Sequence, residues 1–142
     1  MKTQVSTISV RTTRRLEVID ITREVESAVR KSGIKNGLVT VWQPHTTAAL
    51  AVNEHDRDLW EDFLDIYREV APLDRSYRHN EKYAGMPGEQ NAHAHILNTM
   101  LLPSVTIPLV NGRLMLGTWQ SVLFVEMDGP RHRNVYIHIM GE

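Results

Sequence analysis

Ser104-Val105-Thr106-Ile107-Pro108-Leu109-Val110-Asn111-Gly112-Arg113-Leu114-Met115-Leu116, then Ser121-Val122-Leu123-Phe124-Val125-Glu126-Met127, then Asn134-Val135-Tyr136-Ile137-His138-Ile139-Met140: these stretches decide the fold class. Short runs of β-branched and aromatic residues are separated by Asn111-Gly112, a hairpin turn signal, and by Asp128-Gly129-Pro130, a tight-turn signal. The last forty residues therefore read as an antiparallel meander. At the other end of the chain, Val5, Ile8 and Val10 lie near a strand pattern and Leu16 to Ile21 forms a second one, expected to pair with it as a hairpin across Thr12 to Arg15.

Between these β regions the period changes. Thr22 is placed to cap a helix running to about Lys31, with Val25, Ala28 and Val29 on one face and Ser32-Gly33 as its stop. Leu38 to Trp42 is a strand apolar enough to be central in a sheet, and Pro44 ends it. A second helix opens at Asp56 or Asp58, repeats Leu59, Trp60, Phe63, Leu64, Tyr67 and Val70 at three and four residues, and closes at Pro72. Asp74 to Gln90 reads as a long polar loop, of the length that usually carries function. Asn91 to Leu101 has helical composition with Asn91 as its N-cap, and Pro103 breaks it. Strands at both ends with helices between them predict one α+β domain over residues 1–142.

Composition narrows the chemistry. Sixteen basic residues against 17 acidic ones give a formal net charge of -1, so no global field draws the chain to nucleic acid or to an anionic membrane. Cysteine is absent, which leaves histidine and carboxylate to carry any catalysis or metal binding. No stretch reaches the ~18 apolar residues of a membrane span, and Met1 to Val5 opens into alternation rather than a leader pattern, so a cytoplasmic location is expected.

Two constellations stand out. His45-Thr46-Thr47-Ala48-Ala49, leading to Asn53-Glu54, packs hydroxyls, an imidazole, an amide and a carboxylate between the apolar strand and the aromatic helix. Taken alone, these residues are better served by a purely structural account, in which they form turns and caps. With His79 and the pair His93 and His95 added, three separate segments supply imidazoles, as a transition-metal site with open positions requires. On a helix His93 and His95 diverge by about 200°, so only one faces inward; His95 is expected inside and His93 on the rim.

The second is Gly117-Thr118-Trp119-Gln120 with Glu126 and Asp128 to Arg133. It reads either as a bulge and a tight turn or as a ligand site. In the latter, Gln120 reads an amide, and Arg131 with Arg133 clamps a phosphate or carboxylate.

Ser104 to Gly112 continuing through Gly117 to Val122, with His45-Thr46-Thr47-Ala48, Asn53-Glu54, the His79 loop, the His95 helix and the Asp128 to Arg131 turn, resembles the YjbQ-like family over nearly the whole chain. That resemblance implies a sandwich-like α+β fold with a large, mostly antiparallel sheet and two to three helices. It further implies a homotrimer with a pocket near subunit boundaries, and an activity labelled secondary thiamine-phosphate synthase. It makes His45, His79 and His95 metal ligands and Glu54, Asn53 and Gln120 pocket residues. Asn80 stands where some members have an aspartate after the loop histidine.

The expected cofactor is a divalent metal, zinc-like favoured and magnesium the alternative, and the expected partner a small phosphorylated substrate. The label implies joining a pyrimidine pyrophosphate to a thiazole phosphate. A zinc-type hydrolase of a small phosphorylated or acyl metabolite, with Glu54 as general base, and a non-catalytic metabolite-binding module are the other readings.

Overall fold

Val122 to Val125 is an unbroken apolar run because the strand that contains it is covered on both faces, the condition under which alternation disappears. The computed structural model describes residues 1–142. In chain order the elements are β1 (Lys2–Arg11), β2 (Glu17–Asp20), α1 (Thr22–Ser32), β3 (Gly37–Trp42), β4 (Ala48–Asn53) and α2 (Arg57–Val70). There follow α3 (Arg78–Lys82), a 3-10 turn at Pro87–Glu89, α4 (Ala92–Met100), β5 (Ser104–Val110), β6 (Arg113–Leu114), β7 (Ser121–Glu126) and β8 (His132–Gly141).

The strands form a five-stranded sheet in the order β1-β8-β3-β5-β6 and a three-stranded sheet in the order β2-β7-β4, with every pair antiparallel. In β4 and β7 the even-numbered residues Leu50, Val122 and Phe124 meet Val39, Val41, Ile107, Val135, Ile137 and Ile139 of the large sheet, with Val25 and Val29 of α1 in the same core. Odd-numbered residues of these two strands face the other way. Ala49 and Val125 pack on Ala94 and Leu97 of α4, and Leu123 packs on Trp60 and Leu64 of α2. The molecule is thus a sandwich of two sheets with helices on the outer face of the smaller one, the α+β class expected, with four helices rather than two or three.

Local reading succeeds where chemistry is local. Asp56 caps α2, its Oδ1 accepting from Leu59 N–H at 3.0 Å. Asn111 and Gly112 both take positive φ, 52° and 78°, as a two-residue hairpin turn requires. β3 lies between β8 and β5, central as expected.

Strand partnership is corrected. β1 does not pair with β2; it runs beside β8, while β2 joins β7. The last forty residues are not a meander, since β6, β7 and β8 go to different places in two sheets. Gly129 permits this crossing: a Cβ there would lie 2.1 Å from Arg14 O and 2.8 Å from Thr12 Oγ1, so only glycine fits.

No helix is long and apolar enough to cross a membrane. The outer face of the five-stranded sheet carries no helix, and Val5, Leu38, Trp42 and Tyr136 are exposed there.

Candidate functional site

The polar segment between α2 and α4 is ordered by its own amides. Gln90 Nε2 donates to Tyr83 O at 2.8 Å and to Asn80 O at 3.2 Å, tying the segment's end to the helix α3 that forms inside the expected loop. Asn80 Oδ1 accepts from Ala92 N–H at 3.0 Å, which fixes the amide's orientation, and lies 3.0 Å from His79 Nδ1. Because Oδ1 has no proton to give, His79 Nδ1 is the donor. The neutral ring then presents Nε2 as a lone pair, the service that a carbonyl gives to a ligating or basic histidine.

His95, one turn into α4, faces it: the ring centroids are 5.0 Å apart with planes tilted by 54°. Burial, and next the neighbouring His79, hold His95 below the usual imidazole pKa; Asp128 and the Thr46 backbone pull the other way. Neutral His95 therefore predominates near pH 7. The pair opens on a cleft of about 480 Å³ walled by Arg75, Ser76, Tyr77 and Arg78, with no carboxylate in its lining. Arg75 lies over the Tyr77 ring at 5.6 Å, and no carboxylate pairs with either arginine. These arginines were missed by sequence reading, although their density just before His79 was the available signal.

The choice between His93 and His95 is corrected. The two do diverge on α4, but His93 is the inward one, 1% exposed, with Nε2–H donating to Met127 O at 2.7 Å. Burial depresses its pKa, with the Met127 carbonyl opposing. The signal lay in spacing: His93 sits four residues before buried Leu97, on the same helix face.

His45 is turned elsewhere. Its Nε2 meets the Asn134 backbone, 3.0 Å from N–H and 3.1 Å from the carbonyl, just beyond the point where β3 stops pairing with β8 at Trp42 and Tyr136. The ring occupies the place of a missing strand partner. Burial and then Arg133 lower its pKa. Two of the three histidines thus come together.

Two imidazoles on one tetrahedral ion, bound through nitrogen at about 2.0 Å, have centroids about 5 Å apart, so the spacing of His79 and His95 fits two ligands of one metal. His45 does not complete the set. No group of three His, Cys, Asp or Glu side chains in the chain is placed to hold an ion.

The expected anion clamp is also corrected. Arg133 is 4% exposed and Glu126 fully buried; they are ion-paired, with Arg133 Nε donating to Oε1 at 2.9 Å and Nη2 to Thr47 Oγ1 at 2.9 Å. Glu126 also accepts from Thr12 Oγ1 and from the backbones of Met127 and Asp128. Arg131 is taken by Asp128, through Nη2 to Oδ2 at 2.8 Å and Nε to the backbone oxygen at 2.8 Å. Both guanidiniums are held by buried carboxylates, Arg133 in the interior itself and Arg131 from the exposed side. Asn91 Nδ2 donates to the same Asp128 at 2.7 Å, leaving its buried Oδ1 without a partner.

The remaining expected residues lie at the other end of the small sheet. Ala48 faces Glu126 and Asn53 faces Ser121, so the His45-Thr46 end of β4 and the Asn53-Glu54 end are five strand steps, about 17 Å, apart. Asn53 Oδ1 accepts from Glu54 N–H at 2.7 Å, and Glu54 O accepts from Trp60 Nε1 at 2.9 Å. Within one chain Glu54 is therefore not the base beside the imidazole pair. Gln120, adjoining Ser121, belongs to this second end.

Relatives agree with the geometry of the fold. A UPF0047 protein of Archaeoglobus fulgidus is 42% identical over 130 residues, 92% of this chain and 96% of its own. The UPF0047 protein YugU of Bacillus subtilis is 42% identical over 137 residues, 95% and 98% of the two chains. Among solved structures, a hypothetical protein of Aeropyrum pernix K1 superposes with a TM-score of 0.91 at 46% identity, covering 98% of this chain and 99% of that one. A YbjQ-like protein of unknown function from Sulfolobus solfataricus P2 gives 0.92 at 42% identity, covering 99% of each. With residues 6–142 matching the family described as UPF0047 protein YjbQ-like, and relatives alike from end to end, this chain belongs to that family.

Proposed function

We propose that the chain is an enzyme of small phosphorylated metabolites, with the His79 and His95 cleft as its centre. One observation carries the reading: a close imidazole pair with an oriented lone pair opens on the same cleft as two guanidiniums that no carboxylate neutralises. Arg75 and Arg78 are suited to the phosphate or pyrophosphate of a substrate, since guanidinium forks match those oxygens. His95, kept neutral by burial, has a free ring lone pair to offer near neutral pH.

A divalent metal belongs to the proposal, zinc-like favoured and magnesium the alternative, with His79 and His95 holding it. When bound it supplies Lewis-acid stabilisation of a departing anion. In finer form the reaction joins a pyrimidine pyrophosphate to a thiazole phosphate, as the label of secondary thiamine-phosphate synthase implies: the thiazole nitrogen bonds to the methylene carbon on the pyrimidine as that carbon's bond to the pyrophosphate oxygen breaks. The cleft favours this over hydrolysis, because its lining has anion-binding groups and no carboxylate base. A metabolite-binding module would use the same groups without turnover.

We place the protein in the cytoplasm as a homotrimer, the bare outer face with Leu38, Trp42 and Tyr136 being the surface that copies would cover. Light scattering should then return three times the chain mass of 16.3 kDa.

Purified protein should hold about one divalent metal per chain by elemental analysis, lost in His95→Ala, and should release pyrophosphate when given both phosphorylated rings. Absence of metal together with absence of pyrophosphate binding overturns the proposal. Binding without conversion of any phosphorylated metabolite, followed by mass spectrometry, replaces it by the binding module.

A further inference from the structure

We infer a second ligand site at the far end of the small sheet, a two-part cleft that takes a monomeric amphiphile with a phosphate head and an apolar body. Within one chain it is separate from the cleft proposed above, lying about 17 Å along the strands from the His45-Thr46 end.

The polar part is a cleft of about 580 Å³ between α1 and the β5–β6 hairpin. Thr22, Glu26 and Arg30 recur at four residues along one helix face, and Arg113 stands across from them, next to Gln120 and Ser121. No carboxylate pairs with Arg30 or Arg113. Glu26 is the only acid in the lining, so the cleft keeps a positive charge that a phosphate satisfies.

Gln120 is set for the same ligand. Its Oε1 accepts from Gly117 N–H at 2.8 Å, and its own N–H donates to Gly117 O at 3.0 Å, so the turn is cinched from both sides. The amide's orientation is thereby settled, and Nε2, which donates to no protein group, is left with its protons free for a ligand.

The apolar part is a neighbouring cleft of about 510 Å³ that shares Leu116 and Gln120 with the first as a common wall. Val52, Leu102, Ile107, Pro108 and Met115 line it. Leu102 is 56% and Met115 57% exposed, so both present apolar surface to a ligand seated in this cleft. A free phosphate would use only the first half. An apolar tail attached to it reaches past Gln120 and covers these side chains, gaining about fourfold in affinity for each methylene buried.

Titration calorimetry of the full chain with octyl phosphate below its micellar concentration tests this, against inorganic phosphate, octanol, and vesicles containing anionic phospholipid. Octyl phosphate should bind at least ~10-fold more tightly than inorganic phosphate or octanol alone, as head and tail contribute together. Arg113→Gln with Arg30→Gln should remove the advantage over octanol, and Leu102→Asp the advantage over inorganic phosphate; Arg57→Gln, an exposed charge that lines neither part of the cleft, should leave both. All these side chains lie on the surface, and circular dichroism establishes that the variants are folded.

Equal binding of octyl phosphate and inorganic phosphate overturns the proposal, as when another copy of the chain covers the apolar half. So does indifference to both arginine changes, loss of binding in Arg57→Gln, or association with vesicles but not with the monomeric probe.

Discussion

Two pairs of arginines in this molecule have opposite fates. Arg131 and Arg133 follow the Asp128-Gly129-Pro130 turn and are held by Asp128 and Glu126, whereas Arg75 and Arg78 flank His79 in a cleft whose lining has no acid. The side chains are the same; the difference is what lies beneath them. A guanidinium above a buried carboxylate becomes part of the core's electrostatics, and one above a polar cleft remains available to a ligand.

The comparison breaks first if the buried pair is dispensable. Arg133→Met leaves Glu126 charged and unpaired in the interior and should cost about 3–5 kcal/mol in urea unfolding, while near-neutral behaviour would mean that water reaches Glu126. The double change Arg133→Met with Glu126→Leu should recover most of that loss, since the two desolvation penalties vanish together.

Arg78→Ala sharpens the other side. Stability should stay within about 0.5 kcal/mol of the parent, while pyrophosphate affinity by calorimetry falls by ~10-fold or more, the loss of a charge-assisted contact. A large stability loss with unchanged affinity would place Arg78 with Arg133 instead.

Acidity separates the regions next. His93, His45 and His95 all have folded pKa values depressed, chiefly by burial, below an unfolded value of about 6.5. The unfolded chain then binds more protons as pH falls, so stability is intact above about pH 6.5 and lost progressively on acidification through the lower folded values. The slope is at most about 1.4 kcal/mol per pH unit for each such proton. His93→Gln should flatten the slope measured between pH 7 and pH 5, and an unchanged slope would show that His93 is not among the groups responsible.

The smallest effect is at Asn80. Asn80→Leu should cost about 1 kcal/mol through the hydrogen bonds from Ala92 and His79 and should release the His79 tautomer, visible in its ring nitrogen shifts. Asn80→Asp, which keeps the acceptor, should hold it.

Much of this was legible in the sequence, and the boundary is physical. Asp56 capping α2, the Asn111-Gly112 turn and the central strand Leu38 to Trp42 depend on neighbours within a few residues, and patterning reports these. The partner of β1 depends on residues more than a hundred positions away, and a hairpin guess favoured the nearest strand. The helical divergence of His93 and His95 was geometric and held, but which one faced inward depended on Leu97 and on a Met127 carbonyl from another strand. His45 could be seen as unusual; that its ring replaces a strand partner of Asn134 could not. Arg131 and Arg133 looked like a clamp because no local pattern reveals that Glu126 lies beneath them.

One consequence follows from the place of β8, flanked by β1 and β3 and paired along its length with β1. Those residues leave the ribosome after the other seven strands, so β1 and β3 wait until then with their adjoining edges unpaired, exposed to wrong partners. The large sheet closes only when β8 arrives, so a nascent chain that stops short of His132 cannot complete it.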